Sequence, residues 1–383
     1  MIKEVLIACY LRVFQMVFSI CRLLPLKNKI VFVASFTDNP LYVFHALRKQ
    51  HVAAEIIFLC RGKVIEDFRK TGCSTFPIET FRLRHLLHAA YHLATGKVII
   101  VDNYFAFLSV SHFRRNVTCI QLWHAVGAFK TFGLCDHSIA HRTKRARERF
   151  KQVYSHFDKI IVGSDAMEQI FHQSFGLGTD HFIHTGIPRT DLFFDQKKIE
   201  KIRQEFHRQY GNKIIILYAP TFRDNQTNLN ALPFNPNVLE EKLGNNFVFL
   251  LKFHPLVSQK ACLPSHSGFI IDCSDQPINT LLLGVDMLIT DYSSIPFEFA
   301  LLDRPMIFFP YDMENYRETR GLTEDYLETV PGPIAENEEQ LVACIHQAAR
   351  RGREAARFSQ IWNKYSTGQS SRQVAQYIVS LLE

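Results

Sequence analysis

The chain has 383 residues, of which 47% are hydrophobic and 21% charged. That composition argues against disorder and supplies enough apolar material for two cores. The net charge of +7 favours anionic partners such as phosphates or an acidic membrane surface. The nine cysteines are scattered without a CxxC pair, which argues against a disulfide framework and against a zinc site, and for free thiols in a reducing, cytoplasmic compartment.

Residues 1–24 are apolar but interrupted. No uncharged run approaches the ~20 residues that span a bilayer, and no small-residue cleavage site follows. Glu4, Arg12, Gln15, Ser19 and Arg22 fall on one narrow polar stripe, with Leu6, Leu11, Phe14, Val17, Phe18 and Leu24 on the remaining face. This predicts an amphipathic helix within 1–28, lying in a membrane interface or packed on the protein's own core. Apolar runs at 29–36, 54–60, 97–103, 118–123 and 158–164 then read as parallel strands covered on both faces. Helix-like segments at 40–51, 64–71 and 82–95 separate them, as in a βαβ domain. A second series of strands, 213–220, 247–255, 268–273, 286–294 and 305–312, alternates with helices at 237–244, 277–283, 296–302 and 337–350. The resulting division is a helix at 1–28, a first domain at 29–190, a second at 191–353, and a helical stretch at 354–383 that crosses back to the first.

The informative polar residues follow strands, where open parallel sheets bind ligands. Their spread over two domains points to a cleft between them. His124, in QLWHAVGAFK, has the pKa of a general base, with a backbone-bonded structural histidine as the alternative. Gly127 allows close backbone approach to a ligand, and Lys130 adds positive charge. His254, in LKFHP, can donate to a phosphate oxygen, with Lys252 beside it, or sit as an ordinary turn histidine. Ser293 and Ser294 precede Pro296 at a helix start and suit a pyrophosphate, with a plain serine cap as the alternative. Glu298, one turn on, can accept from ribose hydroxyls. There is no Walker A motif and no GxGxxG. The basic run from His137 to Lys151 comes with no recognition fold, so nucleic acid is not an expected partner.

The segments QLWHAVGAFKTFG (121–133), TGIPRTDLFF (185–194), YAPTFRD (218–224), LLKFHP (250–255), ITDYSSIPFEFALLDRPMIFFPYDMENYRETRG (289–321) and PGP (331–333) together resemble the CDP-glycerol glycerophosphotransferase family of wall teichoic acid synthesis. Many members of that family read W-H-G-T where this chain has Trp123-His124-Ala125-Val126. The resemblance implies an α/β fold with two Rossmann-like domains facing a cleft (GT-B-like), the nucleotide held mainly by the second. It implies transfer of glycerol phosphate from CDP-glycerol to an undecaprenyl-diphosphate-linked disaccharide with release of CMP, as the priming step. The alternative is a sibling that extends a glycerol- or ribitol-phosphate chain. His124 would be the base. His254, Arg223, Ser293 and Ser294 would hold the diphosphate, with Thr221, Glu298 and Arg320 as further donor-binding residues. No cofactor or metal is implied, a homo-oligomer is left open, and the expected location is the cytoplasmic face of the membrane.

Overall fold

A computed structural model describes residues 2–136, 139, 141–221, 223, 232–253, 268–323, 325–351 and 355–383. The chain divides into two compact units: Met1–Ala125 with Phe132–Asp191 and Lys364–Glu383, and Val126–Thr131 with Leu192–Asn363. The six residues after Ala125 thus belong to the second unit, and so does the stretch up to Asn363.

The first unit is built on seven parallel strands in the order β3-β2-β1-β4-β5-β6-β7. They are β1 (Lys29–Ala34), β2 (Glu55–Cys60), β3 (Ser74–Pro77), β4 (Val98–Val101), β5 (Thr118–Gln121), β6 (Lys159–Ile161) and β7 (Phe182–Ile183). β1 and β4 are buried along their whole length, which explains their unbroken apolar runs. The helices of this unit are α1 (Ile2–Cys21), α2 (Asp38–Lys49), α3 (Ile65–Arg69), α4 (Leu83–Thr95), α5 (Lys144–Tyr154), α6 (Asp165–Phe175) and a last helix at Ser370–Leu382 that packs on α2. The TGIPRTD segment anchors that last helix. Asp191 accepts from the Ser370 and Ser371 N–H groups at 2.8 Å each. A side chain at Gly186 would strike the Tyr365 carbonyl, 2.6 Å from where its Cβ would stand.

α1 packs part of its apolar face on the unit's own core, one of the two arrangements its pattern allows. Leu11, Phe14 and Phe18 are buried there, with Phe14 against Phe107 and Phe18 against Phe113. Each such burial contributes roughly 1.5–3 kcal/mol. Glu4 pairs with Arg149 at 3.2 Å, and Gln15 meets His112. The exposed face instead carries Val5, Leu6, Val13, Met16 and Ile20. Glu4–Cys21 is long and apolar enough to cross a membrane, by length and composition.

The second unit holds five parallel strands in the order β10-β9-β8-β11-β12. They are β8 (Ile214–Ala219), β9 (Phe247–Leu251), β10 (Ile270–Asp272), β11 (Met287–Thr290) and β12 (Met306–Phe308), and the helices are α7 (Gln196–Tyr210), α8 (Pro236–Leu243), α9 (Ile278–Gly284), α10 (Ile295–Phe299), α11 (Met313–Arg320), α12 (Tyr326–Thr329), α13 (Glu338–Arg351) and α14 (Ala356–Trp362). The helix at Ser370–Leu382 is then α15. Phe129, from the six-residue insert, is buried against Phe297, Tyr326 and Phe358 of this unit. Gly127 serves that packing rather than a ligand: a Cβ there would lie 2.3 Å from the Phe297 ring.

All described cysteines are free thiols. Cys9 and Cys135 are exposed, whereas Cys60, Cys119 and Cys273 are buried.

Candidate active site

In the first unit, the adjacent strands β1, β4 and β5 end side by side; Ser35-Phe36 follows β1, Asp102-Asn103 follows β4, and Trp123-His124 follows β5 after Leu122. The Asp102 carboxylate, 1% exposed, accepts from Ser35 N–H at 3.0 and 2.9 Å, from Phe36 N–H at 2.8 Å and from the Ser35 hydroxyl at 3.0 Å. Burial raises its pKa to about 7, against the pull of those donors. Asp102 therefore clamps the turn after β1.

Its main-chain carbonyl accepts from His124 Nδ1–H at 3.3 Å. The imidazole stacks on Phe36 at 4.5 Å and lies against Trp123 at 4.5 Å. Burial lowers the His124 pKa to about 4, the bond to Asp102 opposes this, and the charge of Arg189 adds to it. The ring is neutral at pH 7. A carbonyl partner assigns the proton to Nδ1 and leaves the lone pair on Nε2, the state a general base requires.

In the second unit, the loops after β8, β11 and β12 are joined by Arg223. Its guanidinium grips Asp312 bidentately at 2.7 and 2.8 Å, Asp291 at 2.8 Å and the Thr221 carbonyl at 2.6 Å. Tyr292, Tyr311 and Tyr316 ring it at 5.1, 5.6 and 4.8 Å. Burial disfavours the charge, but the Asp312 hydrogen bond and the charge of Asp291 hold the pKa above its ordinary value. Asp291 also accepts from Thr221 N–H at 2.8 Å and Tyr292 N–H at 2.7 Å. A phosphate contact by Arg223 would have to share a guanidinium already committed to two carboxylates.

Thr221 stands beside this cluster, and its Oγ1 is buried without a hydrogen-bond partner among the described residues. Ser293 Oγ accepts from Ile295 N–H at 3.3 Å, which leaves its own proton to donate. Ser294 is the cap residue of α10, and its side chain makes no cap hydrogen bond. That helix has only five residues. Glu298 departs from its expected role. It is 3% exposed and engaged within the protein, because it lies on the inward face of α10, so no open carboxylate faces a ribose. Lys252 is likewise committed, donating to the carbonyls of Ser274 and Gln276. Lys130 lies over the Tyr316 ring at 5.5 Å. His254 lies outside the described residues, as do the side chain of Arg320 and residues 137, 138 and 140 of the basic run. Reasoning from sequence passes over Asp102, Asn39, Gln121 and Asp312. Asp102 closes the KVIIVDN run, so the strand-end rule that picks out His124 picks it out as well. Asn39 carries no such signal.

A family model described as CDP-Glycerol:Poly(glycerophosphate) glycerophosphotransferase matches residues 16–380. The teichoic acid glycerol-phosphate primase of Bacillus spizizenii is 38% identical over 92% of each chain. That of Bacillus subtilis is 34% identical over 100% of this chain and 99% of its own. The solved structure of the wall teichoic acid polymerase TagF superposes with a TM-score of 0.78 at 23% identity, covering 100% of this chain and 96% of that one, and so shares the fold. The chain therefore belongs to the CDP-glycerol:poly(glycerophosphate) glycerophosphotransferase family, and it is a glycerophosphotransferase of teichoic acid synthesis.

Proposed function

We propose that this protein is a primase: it moves one glycerol phosphate from CDP-glycerol to the N-acetylmannosamine of an undecaprenyl-diphosphate-linked disaccharide. The observation that carries this reading is the end-to-end match to relatives named as glycerol-phosphate primases, over 92% of both chains in the first case. The acceptor hydroxyl attacks the glycerol-bound phosphorus. Its new P–O bond forms as the P–O bond to CMP breaks, and its proton passes to Nε2 of His124. His254, Ser293, Ser294 and Thr221 supply donors to the diphosphate, where pre-placed donors are the main lever on phosphoryl transfer. Arg223 acts by tying the loops after β8 and β11, which carry Thr221, Ser293 and Ser294, to the loop after β12.

The acceptor is a lipid, and we place the enzyme at the cytoplasmic membrane surface. The support is an exposed apolar patch. The outward face of α1 continues through Ile20 and Leu23, which is 86% exposed. Tyr10 joins it to the exposed Phe81, with Leu83 and Leu87 beyond, and the exposed Arg82 and Arg84 lie among them to meet anionic headgroups.

The deciding experiment incubates the enzyme with CDP-glycerol and a synthetic lipid-linked disaccharide and reads the product mass. A single added glycerol phosphate is expected. A ladder of additions, or no reaction without a pre-primed acceptor, overturns the priming step. Partition to anionic vesicles is expected to weaken in Ile20→Glu/Leu23→Glu; unchanged partition would remove the patch as the contact.

A further inference from the structure

Trp123 carries the chain from β5 to His124 with a φ of 56°, in the left-handed region that a bulky side chain adopts only under constraint. Two buried side-chain amides supply the constraint. Gln121, 0% exposed, accepts from Trp123 N–H through Oε1 at 2.8 Å and donates through Nε2 to the Asn103 carbonyl at 3.1 Å. Asn39, 2% exposed, donates through Nδ2 to the Trp123 carbonyl at 2.9 Å and accepts from Arg189 N–H through Oδ1 at 3.0 Å. The carbonyl can only accept and the N–H can only donate, so the partners fix which way each amide points. One amide holds the peptide group before the Trp123 Cα and the other holds the one after it. Between them they set both backbone angles of Trp123, and with those the direction in which His124 leaves the strand.

We infer that Asn39 and Gln121 are positioning residues for the transfer: they keep Trp123 left-handed so that His124 presents Nε2 to the acceptor hydroxyl. The inference rests on His124 acting as the base. The chemistry of the amides suits that task, because they are neutral and fix geometry without placing a charge that would shift the proton affinity of the imidazole. Asn103 extends the arrangement, donating to the Ser35 hydroxyl at 3.0 Å, and Ser35 in turn donates to Asp102. The loop that presents Phe36 to the imidazole is thus part of the same network.

The test uses the full chain, CDP-glycerol and the synthetic lipid-linked disaccharide. Asn39→Ala should lower kcat by about 100-fold, the cost of misplacing a catalytic group by roughly 1 Å, with KM for CDP-glycerol within about twofold of wild type. The acid limb of its kcat/KM profile should move to higher pH as the loosened ring gains water. In a His124→Ala background, Asn39→Ala should cost nothing further, since both changes act through one group. Near wild-type turnover in His124→Ala overturns the base reading and the inference together. Loss in His124→Ala with near wild-type turnover in Asn39→Ala overturns the inference alone, as does a further, additive loss in the double variant. Should Asn39→Ala not fold, Asn39→Leu keeps about the volume, removes the donor and the acceptor without adding a charge, and carries the same expectation. Failure of both to fold would make the amide a stability element and overturn its positioning role.

Discussion

Around His124 the groups that set geometry are neutral, whereas around Arg223 they are charged. The imidazole receives a main-chain carbonyl from Asp102, while the Asp102 carboxylate is turned away onto Ser35 and Phe36. The guanidinium receives two carboxylates directly. A carboxylate on the imidazole would have raised its pKa, and a carbonyl leaves burial free to keep it neutral. A charged network is the stronger clamp, but it suits a group whose charge never changes. The difference teaches that a proton acceptor and a loop anchor call for opposite second partners, even when each stands at the end of a parallel strand.

The comparison breaks most visibly at Arg223. Replacing it with Met leaves the buried Asp291 and the half-buried Asp312 without their counter-charge and should lose roughly 3–5 kcal/mol in denaturant unfolding. A loss below about 1 kcal/mol would mean that charge is not what holds these loops. Gly127→Ala probes packing in the same unit without touching charge. Its Cβ would overlap the Phe297 ring, and a loss of about 1–3 kcal/mol is expected. Asp102→Asn sharpens the neutral side. It should cost about 1–3 kcal/mol by turning a donor toward the Ser35 and Phe36 N–H groups, yet leave the pH profile of kcat/KM close to wild type, because His124 touches only the main chain of that residue. A large shift of the profile would show that the carboxylate itself tunes the base. Stability against pH tests the same neutrality. His124 titrates near 4 in the folded chain and near 6.5 unfolded, so the unfolded chain takes up its proton first. Its contribution is complete above about pH 6.5 and is lost as pH falls toward 4, a difference that His124→Gln should abolish.

Much of the fold is legible because the long strands are buried on both faces: KIVFVA and FVFLL announce themselves as unbroken apolar runs. β3 and β7 are not legible. Ser74–Pro77 ends in proline and Phe182–Ile183 spans two residues, too short for any periodicity to register. The apolar face of α1 is visible in sequence, but which part of it the core takes is decided by Phe107 and Phe113, about a hundred residues away. The site divides the same way. His124 and Arg223 stand out by type and position, whereas Glu298, which has the same local look, turns inward with its short helix. Asn39 and Asp312 gain meaning only from partners that sequence spacing does not bring near.

The insert Val126–Thr131 has a consequence for how this chain can be made and cut. Phe129 is core material for the second unit, yet it is translated before any of residues 192–363. The first unit, in turn, takes in 364–383, so it stays unfinished until all of the second has been synthesised. Neither unit corresponds to a stretch of gene that could be expressed by itself, and a cut at the apparent boundary near residue 191 would leave each half short of a buried piece.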